Sequence, residues 1–265
     1  MSALTVYVDG VGLWSPRLAD FAALREALRG EAVTPPPARP PAGLLPAGER
    51  RRAPESVLLA VEVAGQAVAM GGHDAASLPC VFASSHGDQP IMDYMCTVLA
   101  SAPAELSPTR FHNSVHNAPA GYWTIATGCH APSNAVCAQR ASFGAGLLEA
   151  ASLALADARS VLLVCSDTAG VGPLTEVTAS AAPFGCALVL SPRPGASTLG
   201  RLVLHLCPGS IDDAPIASAV PADWIASSPA AVSLPLLALL AQGAGRCRLM
   251  AAGSLGMDVH LEECA

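Results

Sequence analysis

Residues 111–168 read FHNSVHNAPAGYWTIATGCHAPSNAVCAQRASFGAGLLEAASLALADARSVLLVCSDT. The polar and aromatic start, Asn113 to Thr127, predicts a helix that Pro119 and Gly121 kink or interrupt. SNAVCA, Ser133 to Ala138, reads as a short strand. Ala141 to Ala156 follows as an apolar helix marked on one side by Glu149. SVLLVCS, Ser160 to Ser166, is a continuous apolar run of the kind that forms a strand buried on both faces.

The flanking segments support this centre. Leu4 to Trp14 is a strand rich in alternating Val, with Gly10 and Gly12 expected to bend or end it. Arg17 to Arg29 has Leu18, Phe21, Leu24 and Leu28 at helical spacing, and Gly30 fits the C-terminal cap. Thr34 to Pro46 holds six prolines and must cross the surface as an extended loop. Pro54 to Met70 is a helix, Leu78 to Ser85 a buried strand, and Asp88 to Leu99 a helix with an acid at its positive end. Pro183 to Leu190 and Leu199 to Cys207 are further strands. Ile211 to Pro221 reads as loop, Pro229 to Gln242 as a helix, and Arg246 to Glu262 as one or two terminal strands. The order predicts an α/β fold: a mostly parallel, five-stranded sheet with helices on both faces. One domain is expected over residues 1–265, with its core in 4–208 and a C-terminal extension in 209–265.

Composition narrows the function. Hydrophobic residues make up 52% and charged residues 13%, which suits a deep core and excludes disorder. The net charge of −7 argues against nucleic acid as a partner. Arg50-Arg51-Arg52 is the one basic run; an acidic protein could dock there, but a solvated flank is the simpler reading. Nine cysteines form no CxxC pair and no zinc-like Cys/His spacing, so no metal site is expected. Cys165, Cys186 and Cys207 lie in apolar strands and read as small core residues of a cytosolic protein. The first residues lack a signal peptide, and no apolar run reaches the ~18 residues of a membrane span. Neither GxxxxGK[ST] nor GxSxG occurs, and Gly10-x-Gly12 lacks the third glycine of a dinucleotide site; no cofactor is expected.

The central stretch resembles the β-ketoacyl synthase family, of the thiolase fold. FHNSVHNAPAGYWTIATGCHAPSNAVCA is similar to that family's passage from an Asn-containing helix into the strand before the nucleophile. FGAGLLEAASLALADARSVLLVCSDTA resembles the helix behind the nucleophile and the next core strand, and FGCALVLSPR the closing strand. The resemblance covers roughly Leu4 to Leu190, the N-terminal half of such an enzyme. The FHNSVHNAPAGYW wording looks most like the small synthase-like proteins of aryl polyene pigment clusters, where such subunits resemble chain-length factors paired with a complete ketosynthase.

The resemblance implies a cysteine at the N-terminus of a buried helix, where the helix dipole and backbone N–H groups lower the thiol pKa. The turn here reads VCAQRASFGAG, without the A-C-[ST]-[SG] context. Counting back from GLLEA leaves Cys137 too early, still in the strand; counting forward from Pro132 brings Ala138 to the nucleophile position. Cys137 is thus a weak catalytic candidate and a buried thiol the simpler reading, while Ser142 is expected to cap the helix. His112 and His116, four apart, are expected to share a helix face with Asn113 and Asn117 at a subunit junction. Asp167-Thr168, at a strand end, is expected to be structural. The strand before the nucleophile lies at the sheet edge in the resembling fold and pairs with a second subunit. Phe111, His112, Asn113, His116, Tyr122, Trp123, Asn134 and Val136 are therefore the expected interface.

These readings combine into a non-catalytic subunit of chain-length-factor type. Its partner would be a complete ketosynthase in a heterodimer, or a second copy of itself, with acyl carrier protein reached through the complex. Two alternatives stay open: an active acyltransferase or condensing enzyme using Cys137 with His86, His112 or His116, and a homodimeric scaffold.

Overall fold

The structure, a computed structural model, describes residues 3–209 and 219–264. The loop expected over Ile211 to Pro221 therefore lies almost wholly outside the described residues. The chain runs β1 (Leu4–Trp14), α1 (Phe21–Leu28), α2 (Ala47–Arg52), α3 (Glu55–Gly71), β2 (Cys80–Ala83), α4 (Gln89–Ser101), α5 (Pro108–His112) and α6 (Ala118–Thr127). Then come β3 (Ser133–Val136), α7 (Ser142–Ala156), β4 (Val161–Asp167), α8 (Leu174–Thr178), β5 (Phe184–Ser191) and β6 (Gly200–Pro208). α9 (Ala222–Ile225), α10 (Leu234–Gln242), β7 (Gly245–Ala252) and β8 (Leu255–Glu262) complete it.

One eight-stranded sheet has the order β3-β2-β4-β5-β1-β6-β8-β7. Only the β2–β3 and β2–β4 pairs are parallel; the other five are antiparallel. This corrects the predicted five-stranded, mostly parallel sheet. An apolar run reports that helices cover both faces of a strand, and that holds in either strand direction. Residues 245–262 also join this sheet: β7 and β8 form a hairpin joined at Gly253-Ser254.

Side chains alternate along each strand and sort the core into two layers. Phe82, Leu162, Val164, Ala187 and Val189 meet α3 and α6 on one face. Val81, Leu163, Cys165, Cys186, Leu188 and Leu190 meet α1, α7 and α10 on the other. Helices thus cover both faces, as predicted. Burial pushes the Cys186 thiol up to about 12 and Cys165 well above its ordinary value, so both are inert core residues. Cys207, predicted to be buried, is only half-buried.

β1 continues past both of its glycines, so they do not end it. A Cβ at Gly12 would lie 1.9 Å from the Val63 carbonyl oxygen, and one at Gly10 2.1 Å from that of Ala67. These glycines let the α3 backbone rest directly on the strand. Just before Gly10 the register shifts at Asp9, the mark of a β-bulge. The Asp9 carboxylate, 3% exposed, accepts hydrogen bonds from His73 Nε2 (2.9 Å), Thr198 Oγ1 (2.8 Å) and the Ser191 hydroxyl.

Helix boundaries follow local chemistry. Asp20 caps α1 by accepting from the Ala23 N–H at 2.8 Å, so the helix starts later than the apolar spacing implied. Arg50, Arg51 and Arg52 end the short helix α2, Arg50 half-buried and the other two exposed. Of the predicted helix from Asn113 to Thr127 only Ala118–Thr127 (α6) forms, and residues 113–117 are a turn between α5 and α6. Pro119, within the first turn of α6, supplies no N–H and starts that helix afresh. No helix among the described residues is long and apolar enough to cross a membrane.

Candidate functional site at the β3–α7 turn

The carboxyl ends of the parallel strands β3, β2 and β4 converge where the chain passes from β3 into α7. Only five residues separate Val136 from Ser142, and Gln139–Ala141 form one tight 3₁₀ turn. To make this reversal Gln139 takes φ +51°, a left-handed value unusual for a residue with a Cβ. Such a conformation costs on the order of 1–3 kcal/mol and persists only where surrounding bonds impose it. Here the Gln139 carbonyl accepts from Ser85 Oγ (2.7 Å) and Ser142 Oγ (2.6 Å), while Ser142 Oγ accepts the Ala138 N–H (2.9 Å). Ser142 is therefore the first residue of α7 and ties down the turn before it, rather than serving as the predicted N-cap. The Gln139 side chain is exposed beside the positive end of α7.

Cys137 lies two residues before this strained position. It is exposed, correcting its reading as a buried thiol, and its Sγ donates to the Ser85 carbonyl at 3.4 Å. Sequence reasoning passed over Gln139, which stands one residue beyond the Ala138 reached by counting from Pro132. The available signal was a polar residue in a strand-turn-helix reversal, the setting that exposes a nucleophile in other folds.

The β2 side of the site is braced from β4. Asp167 is 1% exposed, and its Oδ1 accepts from Ser84 Oγ (2.9 Å), the Ser85 N–H (2.7 Å) and the His86 N–H (3.3 Å). Thr168 holds Gln89, at the start of α4, through its hydroxyl and carbonyl (3.0 and 3.1 Å). Both residues are committed to hydrogen bonds within the fold. Asp167→Ala would leave two backbone N–H groups without their acceptor. We expect a loss of about 3 kcal/mol, read as a lower urea midpoint at unchanged slope.

The predicted interface residues divide. Asn113 and Trp123 are buried, 4% and 0% exposed, and offer no surface to a partner. His112 ends α5 and is exposed, whereas His116 sits in the turn before α6 and its Nε2 donates to the Ser84 carbonyl at 3.0 Å. The two histidines therefore share no helix face, and His116 is occupied as a brace. Phe111 is 56% exposed and Tyr122 half-buried. Asn134 is exposed, its Nδ2 donating to Glu149 at 2.8 Å, and Val136 packs half-buried against the α7 core. Ile125, 84% exposed, and Val115, 50% exposed, were not predicted. With Leu45, Pro46 and Tyr122 they line a groove of about 490 Å³ along α6.

Among the described residues β3 is an edge strand, paired only with β2. The Cys80 N–H donates to the Pro132 carbonyl (3.0 Å) and the Ser84 N–H to that of Val136 (3.2 Å). Alternate residues thus face β2, and Ser133 and Ala135 turn their N–H and C=O groups outward. Ser133, Asn134 and Ala135 are all exposed. Among the described residues, no three His, Cys, Asp or Glu side chains come together as a metal site.

Comparison with known proteins identifies this layout. Residues 26–248 match the family described as beta-ketoacyl synthase, N-terminal domain, and the chain belongs to that family. No curated protein sequence matches it. Among solved structures, it is similar to a chain of the ketosynthase ApeO in complex with its chain length factor ApeC from Xenorhabdus doucetiae. The TM-score is 0.73 at 23% identity, covering 97% of this chain and 99% of that one. The ishigamide ketosynthase/chain length factor gives a TM-score of 0.65 at 18% identity, over 98% and 100% of the two chains. A beta-ketoacyl synthase from Burkholderia phymatum gives 0.65 at 12%, over 100% of both. The fold is thus the thiolase-like one implied by the sequence resemblance.

Proposed function

We propose that this chain is a non-catalytic β-ketoacyl synthase-like subunit of chain-length-factor type. It pairs with a complete ketosynthase in the cytoplasm, within type II fatty acid or polyketide-like synthesis such as that of aryl polyenes. Acyl chains on an acyl carrier protein are the substrate of the complex. The observation that carries this reading is Gln139 at the strained β3–α7 turn: the reversal that would present a nucleophile presents a neutral carboxamide. The open β3 edge supports a pairing role, and the α6 groove supports a wall that helps to set product length.

Co-expression with the ketosynthase encoded nearest to this chain, followed by pull-down and native mass determination, tests the pairing. A one-to-one complex is expected; a lone homodimer with no affinity for the ketosynthase sinks the heterodimer reading in favour of the scaffold. Alone, the protein is expected to show no condensation activity, and solitary activity lost in Cys137→Ala overturns the non-catalytic reading.

Thiol reactivity gives a second check. Cys96, Cys137 and Cys264 are exposed, while burial pushes the Cys80 thiol up to about 11 and Cys247 to about 12. Iodoacetamide at neutral pH is expected to alkylate the three exposed cysteines at similar rates. Selective labelling of Cys137, ahead of the other two by about tenfold or more, would mark an activated thiolate and favour the enzyme alternative.

A further inference from the structure

The first turn of α3 and the cap of α4 border one small cavity of about 10 Å³, the size that holds a single water-sized occupant. Its walls carry oxygen. Ser56 comes from α3, Asp88 from the cap of α4 and Ser84 from the end of β2; Ser166 comes from β4 and Asn113 from the turn after α5. Asn113 is 4% exposed, and its Oδ1 is a buried acceptor without a hydrogen-bond partner. Such an orphan is costly and calls for an occupant. The hydroxyls of Ser56 and Ser166, both residues 7% exposed, are bonded to no other described residue, and each oxygen has two lone pairs to offer.

Charge decides between a water and a cation. Asp88 is 8% exposed and forms no ion pair with an Arg or His among the described residues. Its two carboxylate oxygens accept from backbone, the Ile91 N–H at 2.9 Å and the Ser56 N–H at 3.2 Å. These N–H groups mark the positive ends of α4 and α3, worth about half a charge each, which together offset one carboxylate. Glu55, in the first turn of α3, is a second. Burial pushes its carboxyl up, Asp88 pushes it further, and Arg39 counters by less than Asp88 adds. Negative charge is therefore left over beside the uncharged oxygens, and a buried charge is normally paired or bound to a metal. A water cannot neutralise it. Mg²⁺ usually keeps several of its waters, for which the cavity has no room, and Ca²⁺ takes roughly 6–8 oxygens, often from several carboxylates. A singly charged ion needs less: carbonyl-type and hydroxyl oxygens can replace its water shell.

We propose that this cavity binds one alkali cation, Na⁺ or K⁺, held by the Asp88 carboxylate, Asn113 Oδ1 and the hydroxyls of Ser56 and Ser166. The inference rests on this cavity alone and stands or falls independently of the pairing with a ketosynthase.

Thermal melting of the whole protein tests it, compared in NaCl, KCl and choline chloride, each at about 100 mM so that ionic strength is equal. NaCl, KCl or both are expected to raise the midpoint by about 3 °C or more over choline chloride, the shift for a site about 90% filled. Asn113→Leu removes the orphan oxygen and Ser166→Val fills the cavity, and each is expected to melt alike in all three salts. The second variant decides if the first does not fold. Equal midpoints of the parent in the three salts overturn the proposal and leave the cavity to a water. A salt-specific gain that survives in whichever variant folds overturns it as well, since the ion then sits elsewhere. A larger gain from MgCl₂ or CaCl₂ at equal ionic strength overturns the alkali assignment.

Discussion

Gly12→Ala is expected to destabilise the protein by about 3 kcal/mol or more, the scale of overpacking combined with a forced backbone shift. The added methyl would stand 1.9 Å from the Val63 carbonyl oxygen, with the Val63 carbonyl carbon at 2.8 Å. These are backbone atoms in the middle of α3, so no side-chain rotation relieves the overlap. The helix itself must lift from β1, and α3 packs against β4 and β5 as well. Such a loss is a large part of the 5–15 kcal/mol that holds a typical domain together. Gly43→Ala is the control, because nothing lies within 4 Å of its added Cβ and its φ is not positive. Urea unfolding of the two variants checks the contrast. Equal midpoints would show that the strand and helix do not touch as described.

Ala135→Pro is expected to weaken the proposed pairing with a ketosynthase while leaving the fold intact. Ala135 turns its N–H away from β2, so proline removes no bond of the internal ladder. The lost donor belongs to the open edge, and the ring also obstructs the approach of another strand. We expect affinity for the ketosynthase to fall about 100-fold, with a circular dichroism spectrum like that of the parent. Asn134→Pro is the companion variant, because residue 134 faces β2; it is expected to lose stability as well as pairing. Full binding by a folded Ala135→Pro protein would move the interface away from this edge.

Much of this fold is legible in the sequence because burial leaves a compositional mark. SVLLVCS and FGCALVL read as strands covered on both faces, and β4 and β5 are fully buried. Strand direction leaves no such mark, which is why the antiparallel majority was not foreseen. The terminal hairpin was half visible, since Gly253-Ser254 is a turn signal flanked by weakly alternating segments. At the site, SNAVCA was readable as an edge strand through the family resemblance. Trp123 was misplaced because an aromatic beside a polar helix face suits a core and an interface equally well. Gln139 was missed because a glutamine has no motif of its own; its backbone angle singles it out, and that angle is a product of the tertiary turn.

Ser85 binds three different segments. Its N–H goes to Asp167 at the end of β4, its hydroxyl to the Gln139 carbonyl, and its own carbonyl receives the Cys137 thiol. One residue therefore rivets the strand interior to the loop beside the exposed edge. The two are coupled: a partner that pulls on β3 loads β4 through this short linkage. Docking at the margin of this sheet is thereby felt in its centre, and damage at the centre weakens the grip at the margin.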